Sequence, residues 1–146
     1  MNASRNSSIK LIIPGSLEFL RVVDRVSDTV ADYVGFDEDE KNAIAISVIE
    51  ASTNAIQHGC GCSDAKHVIL SYQIEENLLR VTVLDPGAGF DPSCVKCQLD
   101  EAAVESRGRG LAIIKSLMDE VVFEFEGGTS VTMVKRKGSA SEKTGT

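Results

Sequence analysis

The β-rich runs of this chain come in neighbouring pairs with almost nothing between the members of each pair, and this spacing restricts the fold more than any other feature. Residues 68–74 and 78–85 are separated only by Glu75, Glu76 and Asn77, and residues 121–126 and 129–135 only by Gly127 and Gly128. Connections this short make antiparallel hairpins, because parallel neighbours need a crossover of a dozen residues or more. A further short strand over residues 9–13 is stopped by Pro14 and Gly15, after which Ser16 can cap a helix whose Leu20, Val23, Val26, Val30 and Val34 recur at helical spacing. Asp37 and Glu40 have capping-box spacing and open a second helix over residues 38–58, which Gly59 is placed to end. Residues 111–118 read as another helix. The order β, α, α, β, β, loop, α, β, β predicts an α+β fold, a two-layer sandwich of a mixed, mostly antiparallel sheet with helices on one face. A doubly wound parallel fold fits less well.

At 146 residues and 42% hydrophobic content the chain can bury one core. One domain is expected over residues 9–137, between polar, aperiodic tails at 1–8 and 138–146. The formal charge of -7 opposes phosphate backbones and anionic lipid at long range, so neither direct nucleic-acid binding nor membrane binding is expected. The opening MNASRNSSIK carries no apolar secretion signal, and nowhere do about 18 apolar residues follow one another, which points to the cytoplasm. The cysteines pair as Cys60 with Cys62 and Cys94 with Cys97. Four thiolates could complete a zinc site, but the first spacing is unusual for zinc and free thiols are ordinary in a reducing compartment; no metal role is assigned to them.

Glu50, Asn54 and His58 recur every four residues, so on one helix they stack along a single face at about 6 Å intervals. Ile44, Val48, Ala51 and Ala55 form the apolar stripe beside them, leaving the polar stripe at the margin of the helix–sheet contact. A solvated helix face is the ordinary alternative. Leu79, Val81, Val83 and Asp85 share one parity, so the Asp85 carboxylate points with three aliphatic side chains and needs a donor. That donor is either the backbone of the following Pro86-Gly87-Ala88-Gly89 turn or a ligand such as the amino group of adenine, with Gly87 and Gly89 letting the backbone approach the ring. Arg107, Gly108, Arg109 and Gly110 stand before the helix at Leu111, where mobile amides and a positive helix end suit phosphate. Thr129 and Ser130 could add hydroxyl donors, though they serve a hairpin equally well. The loop over residues 90–106 reads as a lid. There is no P-loop, no complete dinucleotide fingerprint and no eukaryotic kinase signature.

Together the motifs resemble a known family. The stretch Glu50-Ala51-Ser52-Thr53-Asn54-Ala55-Ile56-Gln57-His58-Gly59 looks like the N-box of GHKL ATPases, Asp85-Pro86-Gly87-Ala88-Gly89-Phe90 like their G1 box, and Gly108-Arg109-Gly110-Leu111 like their G2 box, in the same order. The short length, the two helices and the ending Ile114-Lys115-Ser116-Leu117-Met118-Asp119-Glu120-Val121 most resemble anti-sigma-factor serine-protein kinases. The resemblance implies a Bergerat-type sandwich binding ATP and Mg²⁺. Glu50 would be the catalytic base and Asn54 the metal ligand; Asp85 would read adenine, flanked by Gly87 and Gly89. Gly108, Arg109 and Gly110 would wrap the phosphates with Leu111 also at the nucleotide, Arg107 would be the candidate cation for the γ-phosphate, and Thr129 would help to fix Asp85 or a pocket water. It also implies a sigma factor and an anti-sigma-factor antagonist as partners, with homodimerisation. A nucleotide-gated binding module without kinase activity is the alternative, and a detached histidine-kinase catalytic domain a weaker one, since only His58 and His67 are available and the chain reads as complete in itself.

Overall fold

The computed structural model describes residues 6–59, 65–85, 110–124 and 128–138. Strand β1 (Ser7–Pro14) leads through a 3-10 turn (Leu17–Phe19) into helix α1 (Leu20–Val34), followed by α2 (Glu38–Asn54) and a π turn (Ala55–Gly59). The hairpin β2 (His67–Glu75) and β3 (Leu78–Asp85) comes next. Helix α3 (residues 110–117), β4 (Glu120–Glu124) and β5 (Thr129–Arg136) complete the described fold.

The sheet has the order β1-β2-β3-β5-β4, and each of its four pairings among the described residues is antiparallel. Both hairpins are present, as their short connections require. The mixed sheet expected from the sequence is purely antiparallel over these residues. Strand alternation sorts the side chains: Val68, Leu70, Tyr72 and Ile74 of β2 and Leu79, Val81 and Val83 of β3 are buried, while their neighbours in sequence are not. The buried face meets Val23 and Val30 of α1, Ile44, Val48 and Ala51 of α2, and Ile114 of α3 in one core. At about 25 cal/mol per Å², each of the Val, Leu and Ile side chains among these contributes roughly 2 kcal/mol by leaving water.

Several boundaries differ from those expected. Ser7 and Ser8 pair with Ile74 and Gln73, so β1 begins inside the stretch read as a tail. Ser16 makes no capping bond; its hydroxyl donates to the side chain of its neighbour Glu18, and the 3-10 turn intervenes before α1. Helix α1 ends at Gly35, whose φ of 96° is open to glycine at little cost.

The capping box of α2 forms as its spacing demands: the Glu40 backbone amide donates to Asp37 Oδ1 at 2.8 Å, and the Asp37 amide to Glu40 Oε1 at 2.9 Å. Glu40 is nevertheless buried, because its Oε2 also accepts the Gly138 amide at 2.7 Å from beyond the end of β5. One carboxylate therefore clasps the start of α2 and the chain past the sheet. A Glu40→Gln protein has an amide nitrogen where one of those donors points, so we expect its urea midpoint to correspond to a loss of about 2 kcal/mol. An unchanged midpoint would show that the clasp contributes nothing.

Tyr72 is fully buried and its hydroxyl lies 2.7 Å from that of Ser27 on α1. Burial pushes the phenol up to about 12, against a smaller opposing effect of the Ser27 hydrogen bond. The unfolded phenol ionises near its ordinary value of about 10. The favoured neutral form thus contributes stability that is complete below pH 10 and is lost as the pH rises towards 12, by roughly 2–3 kcal/mol. Tyr72→Phe should flatten that alkaline limb of the stability curve, as measured by urea unfolding between pH 9 and pH 12.

Candidate functional site

The middle of α2 presents its apolar stripe to the sheet and its polar stripe to the rim. Ile44 and Val48 are fully buried and Ala51 nearly so, whereas Glu50 and Asn54 are half-buried. The helix proper ends at Asn54, and a π turn takes over from Ala55. Glu50 and Asn54 therefore share a face. His58 falls in the wider turn, where a spacing of four no longer repeats the same direction. This corrects the three-residue stripe read from the sequence.

On the sheet, Asp85 ends β3 on its buried parity and is 3% exposed. Its cross-strand neighbour in β5 is Thr129. Between α2 and these strands lies a narrow cavity, about 390 Å³ with its open mouth included, lined by Asn54 and Asp85 together with Ala51, Val83, Leu111 and Thr129. Phe123 of β4 and Val131 of β5 complete its apolar wall. The side chains of Asn54 and Asp85 therefore line one hollow. Small side chains at Ala51 and Ala55 leave that hollow open on the helix side.

Helix α3 closes the site from above the sheet. Ile114 and Met118 bury its inner face, and the Lys135 ammonium donates to the Leu117 carbonyl at 2.9 Å, placing a cation at the helix's negative end. These anchors bring Gly110 against α2: a Cβ built on it would lie 2.9 Å from Glu50 Oε2 and 3.3 Å from Asn54 Nδ2. Glu50, Asn54, Asp85, Gly110, Leu111 and Thr129 are thus gathered around one cavity and its rim. Gly87, Gly89, Arg107, Gly108 and Arg109 lie outside the described residues, as do the four cysteines.

Phe123 and Val131 were not singled out from the sequence. A signal existed, since Val121 and Phe123 share a parity, but only the register Phe123 to Val131 carries that ring to the Asp85 end of β5. Among the described residues no group of three or more His, Cys, Asp or Glu side chains could hold a metal, and no helix is long and apolar enough to cross a membrane.

Comparison with known proteins agrees with this geometry. Residues 13–135 match the model of the histidine kinase-like ATPase domain family. The chain is 32% identical over 139 residues to the serine-protein kinase RsbW of Bacillus velezensis, covering 87% of this chain and 84% of that protein. It is 31% identical to the RsbW of Bacillus subtilis with the same coverage, and 29% identical over 140 residues to that of Listeria monocytogenes, covering 91% and 89%. Among solved structures, the RsbU and RsbW domains of a Mycobacterium tuberculosis protein superpose with a TM-score of 0.66 at 18% identity, over 89% of this chain and 32% of that one. A blue-light-activated histidine kinase domain from Erythrobacter litoralis gives 0.52 at 21% identity, over 99% and 67%. At such identities the two structures speak for the fold alone.

Proposed function

This chain belongs to the histidine kinase-like ATPase domain family, and on that footing we propose that it is a protein serine kinase acting as an anti-sigma factor. It transfers the γ-phosphoryl of Mg-ATP to a serine of an antagonist protein. The observation that carries the reading is the shared hollow of Asp85 and Asn54, with Glu50 at its rim. The named relatives, each a serine-protein kinase, supply the reaction class.

Each residue then has a task set by its chemistry. Asp85 accepts a hydrogen bond from the adenine amino group, which guanine, with a carbonyl at that position, does not offer. Val83, Val131 and Phe123 give the ring an apolar wall, and Thr129 stands opposite Asp85 to hold it. Asn54 offers a hard amide oxygen, and Mg²⁺ is commonly held by one or two protein oxygens plus substrate phosphates, so the residues present fit that ion. Bound there, it would neutralise charge on the phosphates. Glu50 orients the incoming serine hydroxyl and takes its proton as the serine oxygen bonds to phosphorus. The bond between phosphorus and the β,γ-bridging oxygen breaks, and ADP leaves with the electron pair. Gly108, Arg109, Gly110 and Leu111 wrap the phosphates at the start of α3, with Gly87 and Gly89 beside the base and Arg107 towards the γ-phosphate. On this reading the protein works in the cytoplasm as a homodimer that holds either a sigma factor or the antagonist.

The test is chemical. The protein is incubated with Mg-ATP and a candidate antagonist protein, and both are weighed by mass spectrometry. A phosphoryl-sized gain on one serine of the antagonist is the expected result. Retained, ATP-dependent binding with no gain in mass would replace the kinase with a nucleotide-gated binding module.

A further inference from the structure

The close approach of Gly110 to α2 is unlike an ordinary packing contact, because the atoms it meets are the reacting ends of the two polar side chains in the proposed site. Gly110 and Ile114 of α3 and Met118 just past its end recur every four residues, and all three are buried. The two larger side chains are fixed in the core. With Lys135 holding the other end of the helix, core packing of α3 fixes the position of Gly110 over Glu50. A Cβ at this position would stand 2.9 Å from Glu50 Oε2, closer than carbon atoms of real side chains approach an oxygen, and 3.3 Å from Asn54 Nδ2.

We propose that Gly110 is a positioning residue for Glu50: the missing side chain lets α3 seat against the carboxylate and hold it in its working orientation. This rests on the kinase reading, and it gives Gly110 a task distinct from wrapping phosphate. A methyl group at 110 need not disturb the fold, since what must yield is the far end of a flexible side chain, and alanine is a better helix former than glycine. The atom that yields is the one that meets the serine hydroxyl. Gly110 meets phosphate through its backbone amide, which alanine keeps, so the effect of Gly110→Ala falls on the transfer step and spares both folding and nucleotide affinity, whereas loss of the phosphate cradle itself falls on affinity first.

The experiment compares wild type, Gly110→Ala, Glu50→Ala and the double variant, using the full chain, Mg-ATP and the candidate antagonist protein whose serine the wild type phosphorylates. We expect Gly110→Ala to lower kcat about 10-fold, because relieving the contact moves the carboxylate by only part of the ångström whose misplacement can cost about 100-fold, with the ATP dissociation constant within about threefold of wild type. Melting temperatures provide a readout independent of activity. Gly110→Ala should raise the melting temperature more in the Glu50→Ala background, where the crowding is gone, than in wild type, and this non-additivity identifies contact between the two positions. Wild-type kcat in Gly110→Ala, a weakened ATP affinity with kcat intact, additive melting shifts, or failure to fold in both backgrounds would each overturn the positioning role while leaving the kinase intact. Absence of transfer by the wild-type protein sinks the kinase reading, and the positioning role with it.

Discussion

Glu50→Gln is expected to bind Mg-ATP within about threefold of wild type yet transfer phosphoryl groups 10²- to 10⁴-fold more slowly, roughly the contribution of a positioned general base. The substitution keeps the size of a half-buried side chain on a helix whose Ile44, Val48 and Ala51 carry the packing, so the fold should not change. What is lost is the ability to take a proton at the atom lying beside Gly110. Single-turnover transfer measured alongside equilibrium nucleotide binding separates these effects. A parallel fall in both would move Glu50 from catalysis to binding.

Asp85→Asn should act on the other side of the same hollow. The carboxylate is 3% exposed at the end of a strand whose buried face is otherwise aliphatic, and in the proposed site it accepts from the purine amino group. An amide presents a donor in place of one acceptor. The lost charge-assisted bond and the mismatched donor together should weaken ATP binding roughly 100-fold, about 2.7 kcal/mol, and narrow the preference for ATP over GTP. Calorimetric titration with both nucleotides checks this, together with the melting shift on adding Mg-ATP, which for wild type at 100 times its dissociation constant corresponds to about 2.7 kcal/mol. If Asp85→Asn binds ATP as well as wild type, Asp85 does not read the base.

Much of this arrangement was legible in the residues because it depends on local periodicity. Asp85 declares its face through Leu79, Val81 and Val83, since alternation in a strand admits only two directions. Glu50 and Asn54 declare theirs through the helical repeat, and the capping box marks where α2 starts. What stayed hidden depends on order and register between distant segments. That β5 inserts between β3 and β4 cannot be read from either hairpin, yet this order places Thr129 opposite Asp85 and carries Phe123 to the cavity. The second carboxylate bond of Glu40 joins residues 98 apart, and no local pattern announces it. Gly110 looked like one glycine of a flexible phosphate loop; only the packing of Ile114 and Met118 shows that it is pressed against a carboxylate. The change from α to π geometry after Asn54 likewise broke a repeat that the residue spacing alone would extend to His58.

The bond from Gly138 to Glu40 has a practical side. Glu40 lies 14 positions before Asn54 on a continuous helix, roughly 21 Å away along its axis at 1.5 Å per residue. Cargo joined behind Gly138, such as a fluorophore, an affinity handle or a surface tether, is therefore rooted at the end of α2 remote from the cavity of Asn54 and Asp85. Tension applied through such a tether would load the end of β5 and the first turn of α2 before it reached Asn54.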